Sequence, residues 1–428
     1  MMARSEWKIG KLGDLCTIEI GGTPSRSNSD YWDTAKETMN RWVSIRDLHG
    51  RVILETAENI SDLGARNSNV KLQKSGTVLL SFKLSIGRVA FAGCDLFTNE
   101  AIAGLCSEEM NSEFLYYGLQ QWDLLQNVDQ AIKGATLNKE KLKLIEFKYP
   151  VSRVEQTQIA NILAALDQVI EQTEAIIAKQ QRVKIGLMQD LLTKGIDENG
   201  IIRSEATHEF KNSPLGRIPV EWEGTTLGNI ICKHGGRIQT GPFGSQLHAY
   251  EYVEEGIPVV MPQDISPSGI STSKIARITE GRAKQLLRHN LLPGDLIFAR
   301  RGDLSRCAWI TEQQKGWVCG TGCLLIRPPR GILSPRWTAE IYWSHTTQVQ
   351  VDVQAVGSTM PNLNTGILSA LMIALPNYEE QVRIEEHLQA AEDGQHKMVA
   401  QLTKLALLKT GLMHDLLTGE MRVNDKIK

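Results

Sequence analysis

After Pro150, and again after Pro376, glycine and proline become scarce and apolar residues fall at alternating steps of three and four. In the first stretch the series is Ile159, Ile162, Leu166, Val169, Ile176, Val183 and Leu187, with Thr173 and Gln180 in the two places between. In the second it is Ile384, Leu388, Ala391, Met398, Leu402, Leu405, Leu412 and Leu416, with Gln395 in the series and Gly394 as a weak point. A heptad stripe held for four to five repeats predicts a coiled-coil seam rather than one core-facing helix. Each helix of about 38 residues would be about 57 Å long. Upstream of each stripe the pattern changes. Val78-Leu79-Leu80-Ser81-Phe82 and Leu296-Ile297-Phe298-Ala299 read as buried strands, and GGTPSRSNS and TGPFGS as loops. Each half is therefore expected to be an α/β domain with mixed sheets, followed by a long helix.

The halves are copies. Glu6-Trp7 with Leu12-Gly13-Asp14-Leu15 returns as Glu221-Trp222 with Leu227-Gly228-Asn229-Ile230. Gly76–Leu80 matches Gly294–Phe298, and Gly134-Ala135-Thr136 matches Gly357-Ser358-Thr359. KIGLMQDLLT, starting at Lys184, returns as KTGLMHDLLT, starting at Lys409. Four collinear blocks make a tandem duplication. The expected boundaries are residues 1–152 and 214–376 for the domains, and 153–213 and 377–428 for the helical segments. Two equal helices in one chain most simply pair antiparallel, which relates the domains by a pseudo-two-fold axis. That suits a bipartite ligand such as duplex DNA.

Composition narrows the classes. Of 428 residues 42% are hydrophobic and 22% charged, which excludes a disordered or fibrous chain. The net charge of −2 removes any whole-chain basic signal, so a nucleic-acid surface has to be local. By segment the charge is −1, −2, +3 and −2: acidic helices and a basic second domain. Residues 274–306 carry eight basic side chains against three acidic, among them Arg300-Arg301 directly after a strand. No apolar run is long enough to span a bilayer, the N-terminus lacks a signal-peptide core, and seven scattered cysteines read as reduced thiols. A cytoplasmic protein is expected. Catalytic chemistry is not legible: there is no G-x4-G-K-[ST] loop, no Asn/Asp-Pro-Pro-aromatic block, no His-Glu-x-x-His or Cys-x-x-Cys pair, and no histidine in a triad context. No metal site and no bound cofactor are expected, and Cys319-x3-Cys323 reads as two buried thiols.

With these blocks in place, the chain resembles the specificity subunits of type I restriction–modification systems. GGTPS, WVSIRDL and the Gly-x-x-Leu-Leu-Ser…Ile-Gly block carry the likeness in copy one; TGPFGSQL, GIPVV…QDI, GDLIFARRG and LNTGILSALMIALP carry it in copy two. Each helix opens with Glu-Gln and closes with GLMxDLLT. The departures are Phe82-Lys83-Leu84, where an arginine-glycine pair is commoner, and Gly394 in the second helix. The resemblance implies two target-recognition domains reading the halves of a split site in double-stranded DNA, with a helical spacer setting the gap. It also implies two adenine methyltransferase subunits docked on the spacer and restriction/translocase subunits joining them. S-adenosylmethionine, ATP and Mg would be used by those partners, leaving this chain non-catalytic. A diverged methyltransferase with built-in recognition domains, and a coiled-coil scaffold unrelated to DNA, are the alternatives.

The residues expected to meet DNA in copy one are Thr23, Ser25, Arg26, Arg46, Lys83, Arg88, Lys133, Thr136 and Asn138. In copy two they are Gln239, Ser245, Gln246, Gln263, Arg300, Arg301, Arg306, Thr359, Asn362 and Asn364. Arginine pairs bidentately with guanine and Asn or Gln with adenine, while hydroxyls and amides hold phosphates. The spacer and partner-docking set is Leu166, Val169, Ile176, Val183, Leu187 and Asp190 on the first helix, and Met398, Leu402, Leu405, Leu412 and Asp415 on the second.

Overall fold

The computed structural model of the chain describes residues 6–83, 85–125, 137–266, 268–355 and 361–423. They fall into two compact units, residues 1–176 with 398–428, and residues 177–397. Each unit thus takes a part of both long helices.

The first unit holds two five-stranded sheets. One runs in the order Thr17–Ile20, Ile102–Cys106, Val78–Ser81, Val89–Ala92, Val52–Ile53; the other in the order Trp32–Asp33, Glu58–Ile60, Arg41–Val43, Leu96–Thr98, Leu72–Gln73. Both mix parallel and antiparallel neighbours. A two-stranded piece, Trp7–Lys11 against Glu146–Pro150, ties the start of the copy to its end. The second unit repeats the plan with four-stranded sheets. Arg237–Thr240, Cys323–Arg327, Leu296–Ala299 and Cys307–Trp309 form one, and Tyr252–Val253, Ala276–Ile278, Ile257–Val260 and Val318–Cys319 the other. Glu223–Thr226 pairs with Met372–Leu375 as the tie. The central strands read as unbroken apolar runs because both of their faces are covered, and Val78–Ser81 and Leu296–Ala299 are buried at every position.

The long helices, Arg153–Thr193 and Tyr378–Thr418, are each 41 residues. Ser152 and Asn377 cap their first turns, accepting from Glu155 N and Glu380 N. Gly195 and Gly419 follow their ends at φ +66° and +74°, a conformation that favours glycine. The second helix runs through Gly394 without a break. In the first unit the opening of one helix packs antiparallel on the close of the other, with Ile159, Ala160 and Leu163 sharing a core with Met413, Leu416 and Leu417. In the second unit the roles exchange, and Leu191 and Leu192 share a core with Ile384 and Leu388. Lys409 to Asp167 at 2.5 Å and Lys184 to Glu392 at 2.8 Å are the same ion pair, once per unit.

One expectation needs correction. On the first helix Val169, Ile176 and Val183 are 42, 45 and 60% exposed. The covered face instead runs through Leu163, Leu166, Ile170, Thr173, Ile177, Gln180, Lys184, Leu187 and Leu191, with Leu166 and Leu187 half-buried. The helix carries two apolar series one residue apart, and spacing alone does not choose between them. Packing does: the inward series brings Lys184 to Glu392, whereas the outward one would face β-branched side chains at these charges. On the second helix Met398, Leu402, Leu405 and Leu412 are half-buried, as is Lys409 between them.

Candidate nucleic-acid interface

Topology places the loops. In the first unit Thr17–Ile20 and Val78–Ser81 run the same way, because each pairs antiparallel with Ile102–Cys106 between them. The loops that follow, residues 21–28 and 82–88, therefore leave the sheet at one end. In the second unit Arg237–Thr240 and Leu296–Ala299 flank Cys323–Arg327 in the same way. Loops 241–248 and 300–306 leave together for the same reason.

In copy one the structure draws most of the expected residues into one patch. Arg26 donates to both oxygens of Glu58 at 2.6 and 3.1 Å, and Arg46 reaches the same carboxylate at 2.8 Å. The Arg26 guanidinium lies 3.6 Å from the centre of the Trp32 ring. Trp32 Nε1 donates to Ser25 O at 3.1 Å and Trp42 Nε1 to Gly22 O at 2.9 Å, so two indoles hold the loop by its backbone. Thr23 donates to Glu100, whose carboxyl also feels the charges of Lys83 and Arg26. Arg88 donates to Ile45 O at 3.3 Å, tying the 82–88 loop to the turn that carries Arg46. The Glu58 carboxyl is held below the usual carboxylate range, first by its bond from Arg26, and Glu100 likewise by Thr23. Ser25, Arg26 and Arg88 are exposed.

Copy two meets the same plan with other side chains. Arg306 donates to Pro262 O and Gln263 O at 3.3 and 3.2 Å, the counterpart of the Arg88 tie, while the Gln263 side chain stays exposed. Arg300 Nε donates to Asn362 Oδ1 at 3.1 Å, and Arg301 bridges to Asn362 through the backbone. Arg301 and Ser245 are exposed. Gln239 donates to Arg288 O at 2.5 Å, and Gln246 accepts from Phe243 N at 3.0 Å. The loop is braced by Arg282, which pairs with Glu251 at 2.6 Å.

Asn138 and Asn364 turn out to be helix caps. Their side-chain carbonyls accept from Lys141 N at 2.8 Å and Ile367 N at 2.9 Å, so those oxygens are committed. Lys133, Thr136 and Thr359 lie outside the described residues. Asp190 pairs with Lys194 at 2.8 Å in the turn that ends its helix, and Asp415 is half-buried in the matching turn. Among the described residues one trio of potential ligands gathers, His414, Asp415 and Glu420; it is a surface contact in which His414 lies 3.6 Å from Glu420. Cys319 and Cys323 are buried, and burial pushes both thiols up.

Several residues escaped the sequence reading. Glu155 accepts from Trp7 Nε1 at 3.3 Å and from Arg422 at 2.7 and 2.9 Å. Glu380 accepts from Trp222 Nε1 at 3.2 Å and from Arg203 at 2.5 and 3.2 Å. An arginine just past each GLMxDLLT end thus grips the glutamate that opens the other helix, over the tryptophan that opens a copy. Gln156 and Gln381 bind the backbone before their helices, at Pro150 O and Pro376 O, and accept from Asn111 N and Ser334 N, where a domain helix starts. The Glu-Gln repeat was the signal for both.

The model of the type I restriction modification DNA specificity domain matches this chain twice, over residues 4–180 and 219–405. The chain belongs to that family. Among its relatives, the type I restriction enzyme MjaIX specificity subunit of Methanocaldococcus jannaschii is 26% identical over 57% of this chain and 55% of its own length. The putative MjaX specificity subunit of the same organism is 22% identical over 98% of this chain and 94% of its own length. The match thus spans about half of the first relative and nearly all of the second. The crystal structure of the HsdS subunit from Thermoanaerobacter tengcongensis shares the fold, with a TM-score of 0.54 at 16% identity over 97% of both chains. Each specificity domain, as the family model bounds it, combines one α/β domain with much of the helix that follows.

Proposed function

We propose that this chain is the DNA-recognition subunit of a type I restriction–modification complex, each specificity domain reading one half of a bipartite duplex site. The observation that carries the reading is the recurrence, in both copies, of two polar loops at one end of the sheet, the second of them fastened to a neighbouring turn by Arg88 in one copy and Arg306 in the other. The reading residues are Thr23, Ser25, Arg26, Arg46, Lys83 and Arg88 in one domain, and Gln239, Ser245, Gln246, Gln263, Arg300, Arg301, Arg306 and Asn362 in the other. The paired helices set the gap between half-sites. Val169 and Ile176 in the first unit and Val183 in the second, apolar and exposed, are docking residues for two methyltransferase subunits, as are Asp190 and Asp415. Those partners, and the restriction/translocase subunits, supply adenine methylation and DNA cleavage with S-adenosylmethionine, ATP and Mg, so this chain is not itself an enzyme. No helix among the described residues is long and apolar enough to cross a membrane. Reading duplex DNA places the chain beside the genome, in the cytoplasm.

The test is selection from randomised duplexes by the chain reconstituted with its methyltransferase subunits. Two short words at a constant separation are expected. Enrichment of one continuous word, or of none, overturns the reading. Lengthening both helices by one heptad should then change the separation and leave both words intact.

A further inference from the structure

In the first unit, Trp32, Ile60, Glu58 and Trp42 share one face of a sheet, since Trp32 stands opposite Ile60 and Trp42 opposite Glu58 in register. On this otherwise aromatic and aliphatic face Glu58 is the charged group, and it is spent on the reading loops. Its two oxygens take three bonds, two from Arg26 and one from Arg46. Both arginine side chains are more than half exposed, and the Glu58 side chain is 31% exposed. Trp32 under the Arg26 guanidinium, and the indole bonds to Ser25 and Gly22, hold that loop in place around the pair.

Exposed arginines bind any phosphate, and phosphate contacts carry no sequence information. A carboxylate shared by two of them changes that balance. It cancels one of their two charges and repels the phosphate backbone, whereas a base edge is dipolar and meets no such repulsion. Guanine offers acceptors to the arginine, and the cytosine paired with it offers an amino donor that a carboxylate accepts. We infer that Glu58 is a specificity-determining residue of the first domain, keeping Arg26 and Arg46 off the phosphates and aimed at a G·C base pair. This rests on the DNA-reading function proposed above. In the second domain the strand position that matches Glu58, opposite Val259, is Ala276, so the device belongs to one half-site alone.

The test uses the chain in complex with its methyltransferase subunits and the duplex that selection yields. Glu58→Gln keeps the shape and removes the charge. Affinity for unrelated duplex should rise about tenfold and the log–log salt slope should steepen by about one. Discrimination at one G·C pair of the first half-site should fall about tenfold, with the second half-site unchanged as the internal sign of a folded chain. A variant that weakens all duplexes alike, or changes nothing, overturns the inference. If Glu58→Gln unfolds the first domain, Glu58→Asp retains the charge but withdraws it; it should lower discrimination at that pair while leaving the salt slope in place, and unaltered discrimination is the overturning result. Arg26→Ala with Arg46→Ala separates the two levels. If that pair also leaves the first half-site's preference intact, these loops do not read DNA at all; if it abolishes the preference while Glu58→Gln does not, only the role of Glu58 falls.

Discussion

Beside the Lys409–Asp167 pair of the first unit, Tyr117 donates to Asp167 at 2.7 Å and Arg51 reaches the same carboxylate at 3.4 Å. Beside the matching Lys184–Glu392 pair of the second unit the domain helix presents Glu340, with Arg336 holding Glu392 at 2.6 Å. One site closes around a phenol and the other around a second carboxylate that is 3% exposed. Burial, and then the Glu392 charge, push the Glu340 carboxyl up from 4.5 to about 7. The loops proposed to read DNA differ in the same manner: Arg26 and Arg46 share Glu58 in one copy, and Arg282 with Glu251 braces the other. Duplication kept the joints of the scaffold, namely the Glu-Gln helix starts, the arginine clamps and the interhelical ion pair. It left the side chains around those joints free to diverge.

The clamps give the largest expected contrast. Arg203 and Glu380 are 8 and 1% exposed, whereas Arg422 is 36% exposed against Glu155. Glu380→Ala strands a buried guanidinium and should cost about 3–5 kcal/mol in urea unfolding. Glu155→Ala should cost clearly less, because solvent reaches Arg422. Equal losses would mean that exposure does not separate the two clamps.

Glu340 should make stability depend on pH in one copy only. Between its unfolded value near 4.5 and its folded value near 7, the native state holds a proton that the unfolded chain has already lost. Stability therefore falls as pH rises through that window, by on the order of 3 kcal/mol at full extent. Glu340→Gln should flatten this part of the stability profile measured by denaturant unfolding from pH 4 to 8, while Tyr117→Phe leaves it in place. A slope that survives Glu340→Gln assigns the proton elsewhere.

The arginines proposed to read DNA come next. Arg301→Ala should relax preference at one position of one half-site by about 1–3 kcal/mol and spare the other half-site. A uniform loss across sequences with a shallower salt slope would make Arg301 a phosphate contact. Smallest are the caps. Asn138→Ala and Asn364→Ala should each cost about 1 kcal/mol of stability and leave base preference untouched in a binding-site selection. A shifted preference would return these two asparagines to the DNA surface.

Duplication, the α/β-then-helix order of each copy and the absence of catalytic motifs were legible in the chain itself. They rest on local pattern: period-two and buried runs bounded by turn residues, heptad spacing, and blocks such as GLMxDLLT that recur in order. The inward face of the first helix was not legible, because Val169, Ile176 and Val183 satisfy the same spacing as Ile170, Ile177 and Lys184. Setting the first helix against the second through the repeated GLMxDLLT block would have favoured the right series, since Lys184 then falls at the place of Lys409. Asparagine is suited both to adenine and to a helix start, and only the following turn shows that the side-chain oxygens of Asn138 and Asn364 serve as caps. Glu58 left no local trace at all. Its strand is three residues long and its partners lie 32 and 12 positions away, so its place among two arginines and two tryptophans exists only once the sheet has formed. Local periodicity records what each segment can become; which charge meets which is settled by long-range packing, where burial leaves a polar group no partner but the one the fold supplies.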